Sequence, residues 1–420
     1  MKQNLRHRLW VLVISGLNFP AWSITVTETL PKGVRGAALV YVESARVDST
    51  FNPTGKVELL SQPLNRTLSF DQLAQYSPQL ATLKKMLESF GPFGLSEGVI
   101  SAELKLDLKI QESRRVGALV WALSDDIMLG VMIPVVSRNT ESVFSSNVNR
   151  DSSRIRQALG ILPKSLAGEL DKLDQEPLEP VFLKAIFDDN GYQRPKSFDR
   201  VGLGDVEIES RVRYFRSENL NLQFRLGAEL PTANHQPDIR NLFDRGLGSG
   251  AYGFKAGTYH DVRIVPGVFS FNSAFLGTLY TSNFETRGIK RTSDQFLPNL
   301  TDPYQIERVK KQTSPKIRAD AGFMVEFWRG AWALSSTYVF EGRGNDRYKG
   351  ARDLDYGSLS VNSWSRLHGI ESSLELSSVP SFVEKKAPLP GKLTLTWFQP
   401  IGGKNVALAP YGRLDVLLLF

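Results

Sequence analysis

The sequence has four histidines, no cysteine, and charges of both signs that recur at every second position. A serine hydrolase would need a histidine within reach of a serine and a polar group to orient it. His7 lies in the apolar leader, His235 in "PTANHQPD", and His260 and His368 in stretches far apart with no H-x-S arrangement. Paired loop carboxylates such as those of "FDDN" (187–190) and "RDLDY" (352–356) could serve an aspartyl protease, but polar loops are full of such pairs. The lack of cysteine excludes disulfide scaffolds, zinc knuckles and thiol catalysis. "GLGDVEIESRVRY" and "GLGSGAYGFKAG" (246–257) look like glycine-rich phosphate loops. A phosphate loop must open a helix whose N-terminus meets the anion, and alternating stretches follow here instead. We therefore expect no enzyme, no catalytic residue, no metal and no cofactor. A formal charge of +7 with no basic, aromatic-interleaved stripe argues against nucleic acid as a partner.

The alternating charges are the better lead. In "DVEIESRVRYF", Val206, Ile208 and Val212 fall on one face and Glu207, Glu209, Arg211 and Arg213 on the other. In "LNLQFRLGAEL", Leu220, Leu222, Phe224, Leu226 and Leu230 oppose Asn221, Gln223, Arg225 and Glu229. "KIRADAGFMVEFW" sets Ile317, Phe323, Val325 and Phe327 against Arg318, Asp320 and Glu326. The chain ends on "GRLDVLLLF", where Leu414, Val416, Leu418 and Phe420 oppose Arg413 and Asp415. A period of two with one apolar and one charged face describes strands between two solvents.

What positions these residues must be a set of long strands. Many alternating runs exceed ~10 residues, about twice the usual soluble strand. Tight connections ("SDD" at 124–126, "SEN" at 217–219, "VPG" at 265–267, "RG" at 329–330) take turns with long polar ones near 138–202, 231–248, 287–314 and 343–361. Aromatics gather near strand ends: Tyr214, Phe215, Trp328, Trp332, Tyr338, Phe340, Trp397 and Phe398, as in an interfacial girdle. Only a closed barrel satisfies every strand's backbone groups in lipid without helices. The expected fold is all-β, a transmembrane antiparallel barrel with short periplasmic turns and long extracellular loops carrying short helices. Twelve strands are expected, at 33–47, 101–123, 127–137, 203–216, 219–230, 249–264, 268–286, 315–328, 331–342, 362–377, 390–401 and 406–420, or fourteen if 54–60 helps form a further pair. An even count places both termini in the periplasm.

The opening "MKQNLRHRLWVLVISGLNFPAWS" joins a basic start, an apolar run and small residues at Ala21 and Ser23. It reads as a signal peptide over 1–23, with the barrel over 24–420. Loss of Lys2, Arg6 and Arg8 takes +7 to +4. Long loops are expected at 48–100 and 138–202. Helical spacing appears at 69–90 and, broken at Gly160 and Pro163, at 151–173. The loop 138–202 also carries apolar positions at Ile155, Leu159, Ile161, Leu162, Leu166, Leu170, Val181, Phe182, Leu183, Ile186 and Phe187. These must bury on the rim, within the loop or in the barrel mouth.

Five stretches, "LPKGVRGAALVYVES" (30–44), "VGALVWALSDDIMLGVMIPVV" (116–136), "VGLGDVEIESRVRYF" (201–215), "LGAELPTA" (226–233) and "LGSGAYGFKAGTYHD" (247–261), resemble the bacterial outer-membrane family of phenol-degradation MetA-pathway proteins, relatives of long-chain fatty-acid and aromatic-hydrocarbon transporters. Trp121, Ala122 and Leu123 depart from the family's usual turn motif. The resemblance implies a bacterial outer-membrane, porin-like channel for passive uptake of small hydrophobic or aromatic solutes. The inward charges Glu207, Glu209, Arg211, Arg213, Arg225, Glu229, Arg318, Asp320, Glu326, Arg413 and Asp415 would line its lumen. Phe420 would act as an assembly signal, since a terminal aromatic on an alternating strand resembles what the barrel-assembly machinery reads. Expected partners are outer-membrane lipid and lipopolysaccharide, that machinery, and a small-molecule solute, with the barrel a monomer. The alternative is a non-conducting structural or surface-interaction barrel with a filled lumen.

Overall fold

The computed structural model describes residues 29–62, 64–74, 78–89, 100–150, 183–293, 295, 297–328 and 331–420, with positions 157, 168, 171 and 180. The expected signal peptide (1–23) and the helical positions Ile155, Leu159, Ile161, Leu162, Leu166 and Leu170, like Val181, Phe182 and the "RG" turn (329–330), lie outside the described residues.

Twelve antiparallel strands close on themselves: β1 (Arg35–Ser44), β2 (Ile100–Ala122), β3 (Ile127–Arg150), β4 (Val206–Arg216), β5 (Leu220–Leu230), β6 (Gly253–Val265), β7 (Phe269–Tyr280), β8 (Lys316–Phe327), β9 (Trp332–Arg343), β10 (Ser365–Ser377), β11 (Gly391–Lys404) and β12 (Tyr411–Leu419). Each pairs with its neighbours in chain order, and β1 pairs with both β2 and β12, from Gly36↔Leu419 to Ser44↔Tyr411. Two short strands, Arg66–Ser69 on β2 and Phe198–Leu203 on β3, extend the sheet to fourteen without entering the ring. Val57–Leu59, within the 54–60 stretch of the fourteen-strand alternative, is a strand of a separate sheet with Ser49–Phe51 and Val406–Ala407.

Alternation sets the outer surface. Along β5, Phe224 and Leu226 are exposed and Asn221, Gln223 and Arg225 buried. The same rule exposes Leu39, Leu119, Ile133, Phe275, Leu334 and Leu418 around the ring. Such a continuous apolar belt is stable only against lipid. At the end bearing the short turns, Trp328 and Trp332 meet edge to face with centroids 6.0 Å apart. Tyr214 and Phe215 are consecutive yet both exposed, because the pairing shifts by one between Arg213 and Phe215. No such bulge separates Trp397 from Phe398, so Phe398 does not join the girdle. It turns inward, 3% exposed, and stacks on Tyr411 at 4.8 Å.

The main departure from the expected boundaries is at β2 and β3. They are 23 and 24 residues long and paired without a register shift from Ala122↔Met128 to Ile100↔Arg150. A barrel strand needs only ~9–11 residues to cross. The excess stands above the bilayer. Its outer face carries Glu103, Lys105, Asp107 and Lys109, ion-paired at 3.2 Å. Its inner face carries Leu104, Leu106, Leu108 and Ile110, all buried. Residues 138–150 are therefore strand rather than loop. The strand looked finished at 137 because the outward positions Ser137, Asn139 and Glu141 meet water instead of lipid.

Helices Phe70–Ala74 and Pro78–Ser89 occupy part of the expected helical stretch, and Pro78 starts the second one. Proline fits the first turn of a helix because its missing N–H has no partner there anyway. Their Leu73, Leu80, Leu83 and Leu87 bury against Leu68, Leu104, Ile186, Phe187, Leu297 and Leu300 as a cap over the outer end. Ile186 and Phe187 thus bury within the cap, Phe187 meeting Phe144 edge to face at 5.4 Å. Of the outer connections, 405–410 is short, and the periplasmic one at 378–390 is longer and contains helix Val379–Val383. Likewise Ser282–Gly288, expected to continue β7, leaves the barrel and pairs with Ile306–Gln312.

An arginine on the lipid face near the midplane costs about 2–4 kcal/mol, whereas inward positions accept charge. Phe224→Arg is expected to lower the unfolding free energy from urea titrations in detergent or lipid by about that amount, and Gln223→Arg to leave it nearly unchanged. Equal shifts would mean that the register is displaced by one residue.

Candidate functional site

The ion pairs of the inward charges run along the wall. On β4, β5 and β6, Glu209 holds Arg211 at 2.8 Å and also Arg225, and Arg225 donates to the Tyr259 hydroxyl at 2.8 Å. Lys255 bridges Glu207 at 2.5 Å and Glu229 at 3.4 Å. Nearer the periplasm, Arg213 reaches Asp126 of the β2–β3 turn at 2.8 Å. On β8 and β9, Arg318 pairs with Asp320 at 2.8 Å and with Glu341 at 3.4 Å, and Lys316 with Glu341 at 2.9 Å. On β12, Arg413 holds Asp415 at 2.7 Å, while Tyr411 donates to Glu371 of β10 at 3.0 Å. Glu326 sits near the periplasmic end of β8, opposite Ala333. These pairs repeat because residues two apart on a strand, or opposed on neighbouring strands, share a face.

Lys255, Tyr259, Lys316, Glu341 and Glu371 were not among the expected lumen residues. The alternation that singled out β4 and β5 would have found them on β6, β8, β9 and β10 too. Phe398, Tyr411, Val40, Val42, Val116 and Met132 also face inward, buried together. The lumen wall is therefore split. β4 to β8 present mostly charged and polar groups, and part of β1 to β3, with Phe398 of β11 and Tyr411 of β12, forms an apolar stretch.

A loop folds onto that apolar stretch. Residues 231–252 join β5 to β6, and their Phe243 buries among Val42, Val116 and Met132. The loop's base is stitched to the segment where the wall is interrupted. The pairing partners change from Val135↔Leu203 to Met132↔Glu207, so one residue of Gly204–Asp205 is extra. Asp205 there accepts from the Ala233 amide (3.1 Å), the Ser249 amide (2.5 Å) and the Ser249 hydroxyl (2.9 Å). A Cβ on Gly248 would lie 2.4 Å from the Asp205 carboxylate, so only glycine fits there. Further in, Asp244 accepts from His235 Nε2 (2.9 Å), the Asp238 amide (3.0 Å) and Arg200 (3.4 Å). Burial alone would raise the Asp244 carboxyl, but the Asp238 amide, His235 and Arg200 outweigh it and hold it below the ordinary range. His235 thus braces a loop. His260 meets its cross-strand partner Ser273 at 3.1 Å in the wall, with Leu222 opposite His260 and Ala321 opposite Ser273 on the flanking strands.

Between this loop, the charged wall and the outer sheet (Ser282–Gly288, Ile306–Gln312 and Arg347–Lys349) lies a chamber of about 960 Å³. Its lining runs from Arg225, Tyr259, Arg318 and Asp320 in the barrel to Arg245, Arg287, Lys311 and Tyr348 at the mouth. Below it, Arg211, Arg213, Asn221, Gln223, Asp261, Asn272 and Arg413 are all buried. No group of three or more potential metal ligands occurs among the described residues.

No family model matches the chain, and no curated protein matches it. Among solved structures it is similar to the COG4313 outer membrane channel from Pseudomonas putida F1, at 11% identity and a TM-score of 0.53, over 95% of this chain and 100% of that one. Much weaker likenesses are to the CymD monoaromatic hydrocarbon channel (7% identity, TM-score 0.29, 93% of this chain and 88% of that one) and the Pseudomonas putida toluene transporter TodX (8%, 0.28, 93% and 89%). Similarity at this level is one of fold. The chain has the barrel of outer-membrane channels, and its closed ring and apolar belt place it in the bacterial outer membrane.

Because the Asp244 carboxyl is lowered by folding, its contribution is present above the ordinary carboxylate value of 3.8 and is lost as the pH falls through the lower folded value. Loop 231–252 is expected to resist limited proteolysis at neutral pH and to be cut after Asp244→Ala. Unchanged protection in that variant would show that Asp244 does not hold the loop.

Proposed function

We propose that this barrel is a passive channel for small hydrophobic or aromatic molecules rather than an enzyme. The observation that carries the reading is the chamber of about 960 Å³ at the outer end, which combines apolar wall, aromatic side chains and charged groups under a cap of loops. Pockets of this size and mixed lining suit small organic ligands. The solutes named for the weakly similar channels accord with this but lend no weight to it. Glu207, Glu209, Arg211, Arg213, Arg225, Glu229, Arg318, Asp320, Glu326, Arg413 and Asp415 then act as the polar wall of the path. Their mutual pairing supports a wall that neutralises itself and a path set by shape.

A second reading, a filled barrel that conducts nothing, is favoured by the buried polar residues beneath the chamber. Single-channel recording in a planar bilayer separates the two. The channel reading expects measurable current, increased by Arg225→Ala, which removes a large inward side chain and its contact with Tyr259. Absence of current and of solute flux into liposomes, in both the parent and this variant, would favour the filled barrel.

We also infer that the barrel works as a monomer among outer-membrane lipid and lipopolysaccharide, and that its last strand is what the barrel-assembly machinery engages. Phe420 is exposed and exchanges two 2.9 Å backbone hydrogen bonds with Arg35 at the closing seam. Deleting Phe420 is expected to reduce the heat-modifiable barrel recovered from outer membranes. Recovery at the parent's level would show that the residue is dispensable for assembly.

A further inference from the structure

Above the lipid belt the outside of the protein is not charged evenly. On the extracellular part of the β2–β3 hairpin, Lys105 holds Glu103 and Lys109 holds Asp107, both at 3.2 Å. The outer end of β7 to β11 is different. The strands Ser282–Gly288, Ile306–Gln312 and Arg347–Lys349 follow β7, β8 and β9, and their register sets Lys310 directly opposite Lys349, with Arg347 opposite Gln312 on the same face. The other face of this sheet turns Glu285, Arg287, Lys311 and Tyr348 to the chamber and buries Val309 with Leu354. Lys310, Arg347 and Lys349 therefore stand on its outer face, and all three are exposed. Arg308 shares that face but lies over Phe284 at 5.2 Å, at the chamber rim.

At the base of this sheet one cross-strand row runs Ile317↔Gly342, Gly342↔Arg366 and Arg366↔Lys404. Residues opposed across antiparallel strands share a face. Ile317 is exposed in the apolar belt, so Arg366 and Lys404 point outward as well, exposed at the extracellular ends of β10 and β11. Two pairs of like charge, Lys310 with Lys349 and Arg366 with Lys404, thus sit directly opposite one another. Such an arrangement destabilises a sheet unless an anion relieves it.

The protein's own carboxylates do not supply that anion. None of these five cations makes an ion pair among the described residues. In the outer sheet and its connections, Glu285 answers Arg287, Asp302 answers Arg291 and Asp346 answers Arg343. Glu307 accepts from the Tyr356 hydroxyl and the Ala351 amide, and Asp355 from the Ser358 amide. Asp353 is exposed and joins no ion pair. On the wall, β11 has no carboxylate, and Glu371 and Glu375 of β10 are turned inward to Tyr411 and Lys392. Glu58, on the small sheet beside β11, accepts from Asn52 at 3.0 Å. Ammonium and guanidinium groups hold phosphate through charge-assisted hydrogen bonds. Below the cations the same outer surface is apolar, with Leu279, Ile317, Ile370 and Ile401 exposed. A ligand that fits both levels carries phosphate above hydrocarbon.

We propose that the outer end of β7 to β11 is a binding site for outer-leaflet lipopolysaccharide. Its phosphates are held by Lys310, Lys349 and Arg347 on the outer sheet and by Arg366 and Lys404 on the wall, and its acyl chains lie against Leu279, Ile317 and Ile370. This rests on the reading that the barrel stands among lipopolysaccharide, and it assigns that contact to one side of the molecule.

The test is titration of the full barrel, purified and folded in dodecyl maltoside, with lipid A carrying both phosphates and, separately, with the same lipid A stripped of them, read by thermophoresis. The phosphorylated form is expected to bind at least about tenfold more tightly, as hydrogen bonds between charged groups allow. The double variants Lys310→Gln with Lys349→Gln, and Arg366→Gln with Lys404→Gln, should each cut that preference by about threefold or more, the size expected of exposed charge pairs. Lys105→Gln with Lys109→Gln, on the paired side, should leave it unchanged. If a double variant does not give a heat-modifiable barrel, the single variants Lys349→Gln and Arg366→Gln replace it with the same direction expected. Equal affinity for the two lipids, or an equal loss in the Lys105 and Lys109 variant, would overturn the proposal. So would displacement of lipid A by inorganic phosphate at matched ionic strength, which would make the patch a site for the free ion. Recovery from outer membranes keeps this result separate from the reading it rests on. A barrel recovered there without any preference for phosphorylated lipid A removes the site and leaves the location, whereas that preference in a barrel not recovered there supports the site and removes the reading.

Discussion

Closure of the backbone hydrogen-bond ring is the constraint on which everything else rests. In hydrocarbon an unpaired N–H or C=O costs several kcal/mol, so every strand in the belt must have two neighbours. The seam is made by β1, which lies between the last strand and β2 and runs Gly36 to Ser44 along Leu419 to Tyr411. Once the ring is closed, alternation leaves no freedom. Each residue of a membrane-crossing strand faces lipid or lumen, and a bulge such as that at Arg213/Phe215 is the only local way to change the sequence of faces.

The inside of the ring obeys different economics from the outside. Lipid accepts one chemistry, so the outer face is uniform. The lumen accepts any chemistry that is self-satisfied. On β4 to β8 this is achieved mostly with ion pairs between residues two apart or on neighbouring strands. On β1 to β3 it is achieved with apolar side chains covered by Phe243. The two solutions meet at the chamber.

The long β2–β3 hairpin shows how solvent decides side-chain chemistry on one continuous pair of strands. In the membrane its outer face carries Leu119, Trp121, Leu129 and Ile133. Above the membrane the outer face becomes Glu103, Lys105, Asp107 and Lys109, and the inner face supplies the apolar residues that seat the helical cap. The cap and the inward loop are separate devices. One covers the outer end with Leu73, Leu87 and Phe187, and the other enters the mouth and is held by Asp205 and Asp244.

The sequence by itself determined the fold class, the twelve strands, the end that carries the short turns, and the facing of residues such as Phe224 and Gln223. Each follows from a period of two between two solvents, which is a local property. It also yielded the inward charges of β4, β5, β8 and β12, though not their partners Lys255, Glu341 and Glu371, which the same alternation would have found. Only the tertiary structure decided where β3 ends, since its outward residues change from apolar to polar while the pairing continues. It likewise decided that Phe398 turns in to stack on Tyr411, and that loop 231–252 reaches the mouth. The chamber cations Arg138, Arg245, Arg287, Lys311 and Arg343 come from five separate elements. Their proximity depends on how loops fold back over a closed ring, and no spacing in the sequence encodes it.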